Sequence, residues 1–252
     1  MMMSIMTAET YLILSGKGGV GRTVFFSNLA TSLAKLGKET ILLDADLGMA
    51  DVGLTFGLDV LPVTLHEVLA GKESIERAIY EGPYGVKVIP SGHTIEGFQA
   101  ANPEGLVGIL EQLKQDSDYI LIDTPTGINE DVLLLLPLVD HIIIIATADL
   151  SSIADSLKMK IIAESINNNT KIDGVVINRV DSSNIEDVKQ MLEKTLESKI
   201  ISVIPNDPNM QKSLSKKTPL VALYPNSPAS VAINKLAAEI AGIEYSEVEN
   251  NS

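Results

Sequence analysis

Ser15-Gly16-Lys17-Gly18-Gly19-Val20-Gly21-Arg22-Thr23 stands between an apolar run, Tyr11-Leu12-Ile13-Leu14, and a segment with helical apolar spacing, Phe25–Leu36. Strand, glycine-rich turn and helix in that order form the setting of a phosphate-binding loop. Glycines let the backbone bend sharply and approach an anion with no side chain in between. The following helix then turns its unpaired N–H groups and the positive end of its dipole toward the phosphates. Gly16, Gly21 and Thr23 fit the usual spacing of such loops, whereas Arg22 stands where lysine is usual, and an additional lysine, Lys17, follows the first glycine.

This Lys-Gly-Gly-Val-Gly form resembles the deviant phosphate loop of the MinD/ParA ATPases. The resemblance implies an α/β fold, a P-loop NTPase with a doubly wound, mostly parallel sheet and helices on both faces. It also implies ATP/ADP and Mg²⁺ as cofactors and a homodimer when ATP is bound. Gly16, Lys17, Gly18, Gly19, Val20, Gly21, Arg22, Thr23 and Val24 would then cradle the phosphates, and Lys17 would reach the partner's nucleotide. Val24 replaces a commonly found threonine.

The chain has 252 residues, enough for one sizeable core, and no linker or repeat divides it. A single domain over 1–252 is expected, with flexible ends near 1–8 and 244–252. Hydrophobic residues make up 45% and aromatics only 4%, so the core must be built from Ile, Leu and Val, as suits a buried parallel sheet. A net charge of −14 argues against a broad surface for phosphate backbones and hence against direct DNA binding. With no cysteine, disulfides, thiolate metal sites and cysteine-dependent iron–sulfur carriage are excluded. No basic residue precedes Lys17, and the most apolar stretch, Val132–Ala148, is broken by Asp140 and His141. A cytoplasmic location is the expectation.

Periodicity places strands at Thr10–Leu14, Thr40–Leu43, Val86–Pro90, Asp118–Asp123, His141–Ala148, Asp173–Asn178 and Lys199–Ile204. Helices are expected at Thr23–Leu36, Thr64–Ala70, Asn102–Gln115, after Asp149, and from Ser227-Pro228 to Ala241. Asp51–Leu58 reads as a short helix or a turn. Strands alternating with helices call for a largely parallel sheet.

Two acids, Asp44 and Asp46, end a wholly apolar strand, and buried carboxylates require a cation or hydrogen-bond donors. Strand carboxyl ends are where ligands collect in open α/β sheets. By the resemblance, Asp46 orients or activates the attacking water, Asp44 supports the metal shell, and Thr23 and Asp123 hold Mg²⁺. A turn-capping role for Asp46 beside Gly48 is the competing reading. The segment Asp123-Thr124-Pro125-Thr126-Gly127 resembles the family's second acidic motif, with Thr126 in place of alanine and the Gly127 N–H expected to sense a γ-phosphate. Asn178, Arg179, Pro205 and Asp207 take the adenine side by resemblance; ordinary strand-end turns are the alternative. His66, His93 and His141 are isolated in sequence, and no histidine metal site is expected.

The resemblance covers nearly the whole chain and is nearest to archaeal-type MinD proteins. It implies a slowly hydrolysing ATP switch that recruits or positions an unidentified protein partner or adaptor. Arg22 keeps the charge of lysine but not its compact shape, which opens an alternative, a nucleotide-gated binding module with little turnover. The acidic tail, with Glu244, Glu247 and Glu249, argues against direct membrane binding through a basic amphipathic helix.

Overall fold

The computed structural model describes residues 8–166, 170–181 and 185–245. Its strands are β1 (Glu9–Leu14), β2 (Thr40–Asp44), β3 (Tyr80–Glu81), β4 (Lys87–Ile89), β5 (Tyr119–Asp123), β6 (His141–Thr147), β7 (Lys171–Val180) and β8 (Ile200–Pro205). They form one eight-stranded sheet in the order β3-β4-β2-β5-β1-β6-β7-β8. Every pairing is parallel except β3 with β4. The expected flexible ends fall almost entirely outside the described residues.

Strand residues alternate between two cores, because successive side chains leave opposite faces of a sheet. Leu12, Leu14, Leu43, Ile120, Ile122, Ile142 and Ile144 join one cluster, which packs against Leu106, Leu110, Val132, Ile153 and Met159. Tyr11, Ile13, Leu42, Leu121, Ile143 and Ile145 join the other, against Phe25, Phe26, Leu29, Leu33, Ile233 and Leu236. The apolar runs of the sequence are therefore continuous because both faces are covered. Helix α1 (Arg22–Lys35) lies on the second face and brings the glycine loop to the carboxyl end of β1.

Most expected elements appear within one or two residues, the ordinary scatter of helix and strand ends. The helix expected at Asn102–Gln115 is divided: Asn102 caps a 3₁₀ turn at Pro103–Gly105, and the α-helix runs Leu106–Leu113. Thr64 closes a capping box with Glu67, as its placement before an apolar run suggests. The two-residue antiparallel β3 was not readable in advance; such a short strand carries no periodicity of its own. Among the described residues no helix is long and apolar enough to cross a membrane.

At the amino ends of the strands, His141 Nδ1 lies 2.9 Å from Asp173 Oδ2 and its ring stacks on Tyr11. Asp173 also meets Lys171 at 2.8 Å, and Glu9 lies 3.9 Å from His141 Nε2. The bond to Asp173 raises the His141 pKa above its ordinary 6.5 against the opposing effect of burial. Burial works to raise the Asp173 pKa, but bonds from His141 and Lys171 outweigh it and bring it down. A histidine with a raised folded value gives its full stabilisation below the unfolded value and loses it as pH climbs through the folded one. Urea unfolding of the wild type is thus expected to show stability falling as pH rises from 6.5. His141→Gln should flatten that slope; an unchanged slope would remove His141 as its source.

Candidate functional site

The glycine loop wraps the carboxyl end of β1, flanked by the ends of β5 and β6 where the strand order reverses, the usual ligand crevice of such sheets. Gly21 is the N-cap of α1 at φ +92°, and a Cβ there would lie 2.6 Å from Asn178 Nδ2. Gly16 is needed for a different reason: a Cβ would meet Asp155 Cβ at 2.5 Å and its backbone at 2.8 Å. The helix Leu150–Ile166 thus packs directly onto the start of the loop.

Arg22 is the centre of the site. Its Nε donates to Asp123 Oδ1 (3.1 Å) and one terminal nitrogen donates to both Ser15 Oγ (3.1 Å) and Thr126 Oγ1 (3.0 Å). The other terminal nitrogen stands 3.5 Å from Asp46 Oδ2. Thr23 Oγ1 donates to the second Asp123 oxygen at 2.5 Å. Arg22 and Asp123 are both largely withdrawn from water, so removing either partner would leave an uncompensated charge, a loss of about 3–5 kcal/mol.

Asp44 lies beneath this group, fully buried, with its oxygens accepting from the Asp46 N–H (3.2 Å) and the Val52 N–H (3.3 Å). Burial first, and then the neighbouring Asp123 charge, push its carboxyl well above the ordinary carboxylate range. Its visible work is to shape the loop that carries Asp46. Burial raises Asp46 as well, opposed by the Met49 N–H and Arg22. Asp46 both caps its turn, accepting from Met49 N–H at 3.0 Å, and faces Arg22, so the two readings of this residue hold together. Asp123 is raised by burial and held back by Arg22 and Thr23.

Lys17 is half-exposed and 3.4 Å from Asp149 Oδ1. Asp149 also accepts from Thr147 and the Ser152 N–H, which bring its pKa down to about 2. One expectation is corrected. The Gly127 N–H, expected to sense a γ-phosphate, is already engaged: it donates to the Ser15 carbonyl at 3.0 Å and ties the two loops together.

A cleft of about 530 Å³ opens beside the loop, lined by Gly21, Val24, Asn178, Arg179, Pro205 and Asp207 among others. The residues expected on the adenine side are therefore brought together. Asn178 Nδ2 donates to the Val20 carbonyl (2.8 Å), and its Oδ1 accepts from the Arg179 N–H, which stabilises Arg179 at φ +58°. Asp207 caps the helix Pro208–Ser215, with its oxygens taken by the Asn209 and Ala229 N–H groups. Met210, Gln211 and Leu214 of that helix complete the cleft wall and were not anticipated. The Asp207-Pro208 pair, a cap followed by a first-turn proline, is the signal that announces it. Ser15 and Thr126 were likewise not anticipated as Arg22 partners, since Thr126 is 104 positions away.

Among the described residues no group of three or more His, Cys, Asp or Glu side chains is arranged to hold a metal ion. Thr23, Asp46 and Asp123 present only oxygen, the donor type suited to Mg²⁺, which takes few protein ligands and completes its shell with phosphate and water.

Residues 11–220 match the model of the CobQ/CobB/MinD/ParA nucleotide binding domain. An ATP-binding protein of Methanocaldococcus jannaschii is 43% identical over 243 residues, covering 96% of this chain and 91% of its own. The cell division ATPase MinD of Pyrococcus furiosus superposes with a TM-score of 0.85 at 32% identity, over 93% of this chain and 99% of that one. The septum site-determining protein MinD of Pyrococcus horikoshii, solved with Mg-ADP, gives 0.84 at 29% identity over 92% and 96%. On the family match over residues 11–220, the 43% identity to the M. jannaschii protein and the superposition on P. furiosus MinD, this chain belongs to the MinD/ParA family of nucleotide-binding proteins, on its archaeal MinD-like side.

Proposed function

We infer that the chain is a single-domain, Mg-dependent ATPase switch whose ATP-bound form pairs two copies and recruits or positions a protein partner. The observation that carries this reading is the convergence of Lys17, Arg22, Thr23, Asp46 and Asp123 on one sheet end, beside a cleft of about 530 Å³. Two carboxylates, Asp46 and Asp123, face the single guanidinium of Arg22, with the Asp44 carboxyl buried beneath them. That excess of negative charge, and the Mg-ADP held by the P. horikoshii relative, support a divalent cation here. Thr23 and Asp123 would hold it, and it would neutralise phosphate charge.

Lys17 supports pairing because its ammonium is accessible at the loop's outer edge. At the same end of the sheet, Leu150 is 91% and Met49 76% exposed, apolar area that a second copy would cover. Asp46 would orient or accept a proton from the attacking water. The engagement of Arg22 by Asp123 and Asp46 favours a second reading, a module that closes on ATP with little turnover.

Size-exclusion chromatography with light scattering, in Mg-ATP and in Mg-ADP, tests the inference alongside phosphate release. A dimer with Mg-ATP only, absent in Lys17→Ala, together with slow release, is expected. A dimer without release above background selects the gated module. A monomer in both nucleotides removes the in-trans role of Lys17.

A further inference from the structure

Arg22 and Thr126 both depart from the residues usual at their positions, and the fold puts them in contact. A guanidinium has five N–H donors in a planar fork. Four contacts are already made here: Asp123, Ser15, Thr126 and Asp46. A side chain so engaged cannot also lay two donors on a phosphate without giving some of these up. The Thr126 hydroxyl lies beside the glycine loop as well as on Arg22: an ideal Cβ on Gly18 would be in ordinary contact with its Oγ1, at 3.8 Å. The neighbouring Gly127 N–H bond to the Ser15 carbonyl fixes this segment against the loop. Alanine at 126 would hand one Arg22 N–H to water, since this bond is exposed, and would hold the guanidinium less firmly on this side. Lysine at 22 could not reach the four partners in the same way, since it offers a point charge rather than a fork.

We propose that Arg22 and Thr126 form a latch in which the guanidinium acts as a resident counter-ion for Asp123 and Asp46, and that nucleotide must open it to load its phosphates. Thr126 is thereby a positioning residue, acting through Arg22. The latch lowers nucleotide affinity because the phosphates compete with Asp123, Asp46 and Thr126 for the guanidinium, independently of the metal. The proposal rests on the nucleotide-binding reading above.

The test titrates a fluorescent ADP analogue into wild type, Thr126→Ala, Thr126→Ser, Arg22→Lys and the Arg22→Lys/Thr126→Ala double variant, each with Mg²⁺ and with EDTA. Thr126→Ala is expected to bind about three- to tenfold tighter, the equivalent of one hydrogen bond lost from the latch. The gain should persist in EDTA, Thr126→Ser should restore wild-type affinity, and the alanine should have no effect in the lysine background. Unchanged or weaker binding by Thr126→Ala, or an equal gain in the lysine background, overturns the latch while leaving the nucleotide-binding reading intact. A wild type that binds no nucleotide in either condition instead overturns that reading, and the latch with it.

Discussion

Asp46→Ala protein is expected to release phosphate at least about 100-fold more slowly than wild type, the effect of losing a positioned proton acceptor. Nucleotide affinity should stay within about threefold or tighten, since only one long Arg22 contact is lost with it. This carboxylate has two jobs, one of shape and one of chemistry. One oxygen caps the turn through the Met49 N–H, and the other faces the Arg22 cluster. Asp46→Asn separates these jobs, because an amide oxygen can still accept from Met49 but cannot take a proton. Both variants should be equally slow. An active Asp46→Asn alongside an inactive Asp46→Ala would reduce Asp46 to a turn cap.

The largest effect on folding is expected from Gly174→Ala. Gly174 sits in β7 at φ +149°, and a Cβ there would lie 2.4 Å from the Lys199 carbonyl and 2.7 Å from Ile201 Cγ2. The register of β6 against β7 shifts at this point, and the Val175 N–H donates to that same Lys199 carbonyl at 2.8 Å. A side chain must therefore push β8 away from an inner strand as well as adopt a conformation that L-residues avoid. Backbone strain of about 1–3 kcal/mol and overpacking of similar size add to about 2–6 kcal/mol. For a chain of this length that is about 10 °C in melting temperature. The site lies at the far end of the sheet from Asn178 and the glycine loop, so nucleotide binding well below the melting temperature should be unchanged. A shift under about 2 °C would mean β8 yields easily there.

These two positions also mark how far the sequence could be read. Asp46 was legible because two acids closing an apolar strand have few innocent explanations, and Asp123 because it ends the clearest strand of the chain. The glycine loop was legible because its pattern is local: glycine spacing, the positive φ at Gly19 and Gly21, and the helix start lie within nine residues, although the groups that crowd Gly16 and Gly21 are the distant Asp155 and Asn178. Gly174 was not, because the demand on it comes from Lys199 across a strand pair. The helix Pro208–Ser215 had a local signal in Asp207-Pro208, and only its role as a cleft wall was hidden.

Strand positions, the two-faced core and the phosphate loop follow from periodicity and glycine spacing, since burial on both sheet faces writes itself into the sequence as unbroken apolar runs. What only the tertiary structure decided is what the charged groups do. Arg22 reads as a phosphate ligand in sequence, yet the fold delivers Asp123, Asp46, Ser15 and Thr126 to its fork. Gly127, read as a sensor, spends its N–H on Ser15. Polar groups withdrawn from water must find partners, and those partners come from strand ends that are distant in the chain and adjacent in the sheet.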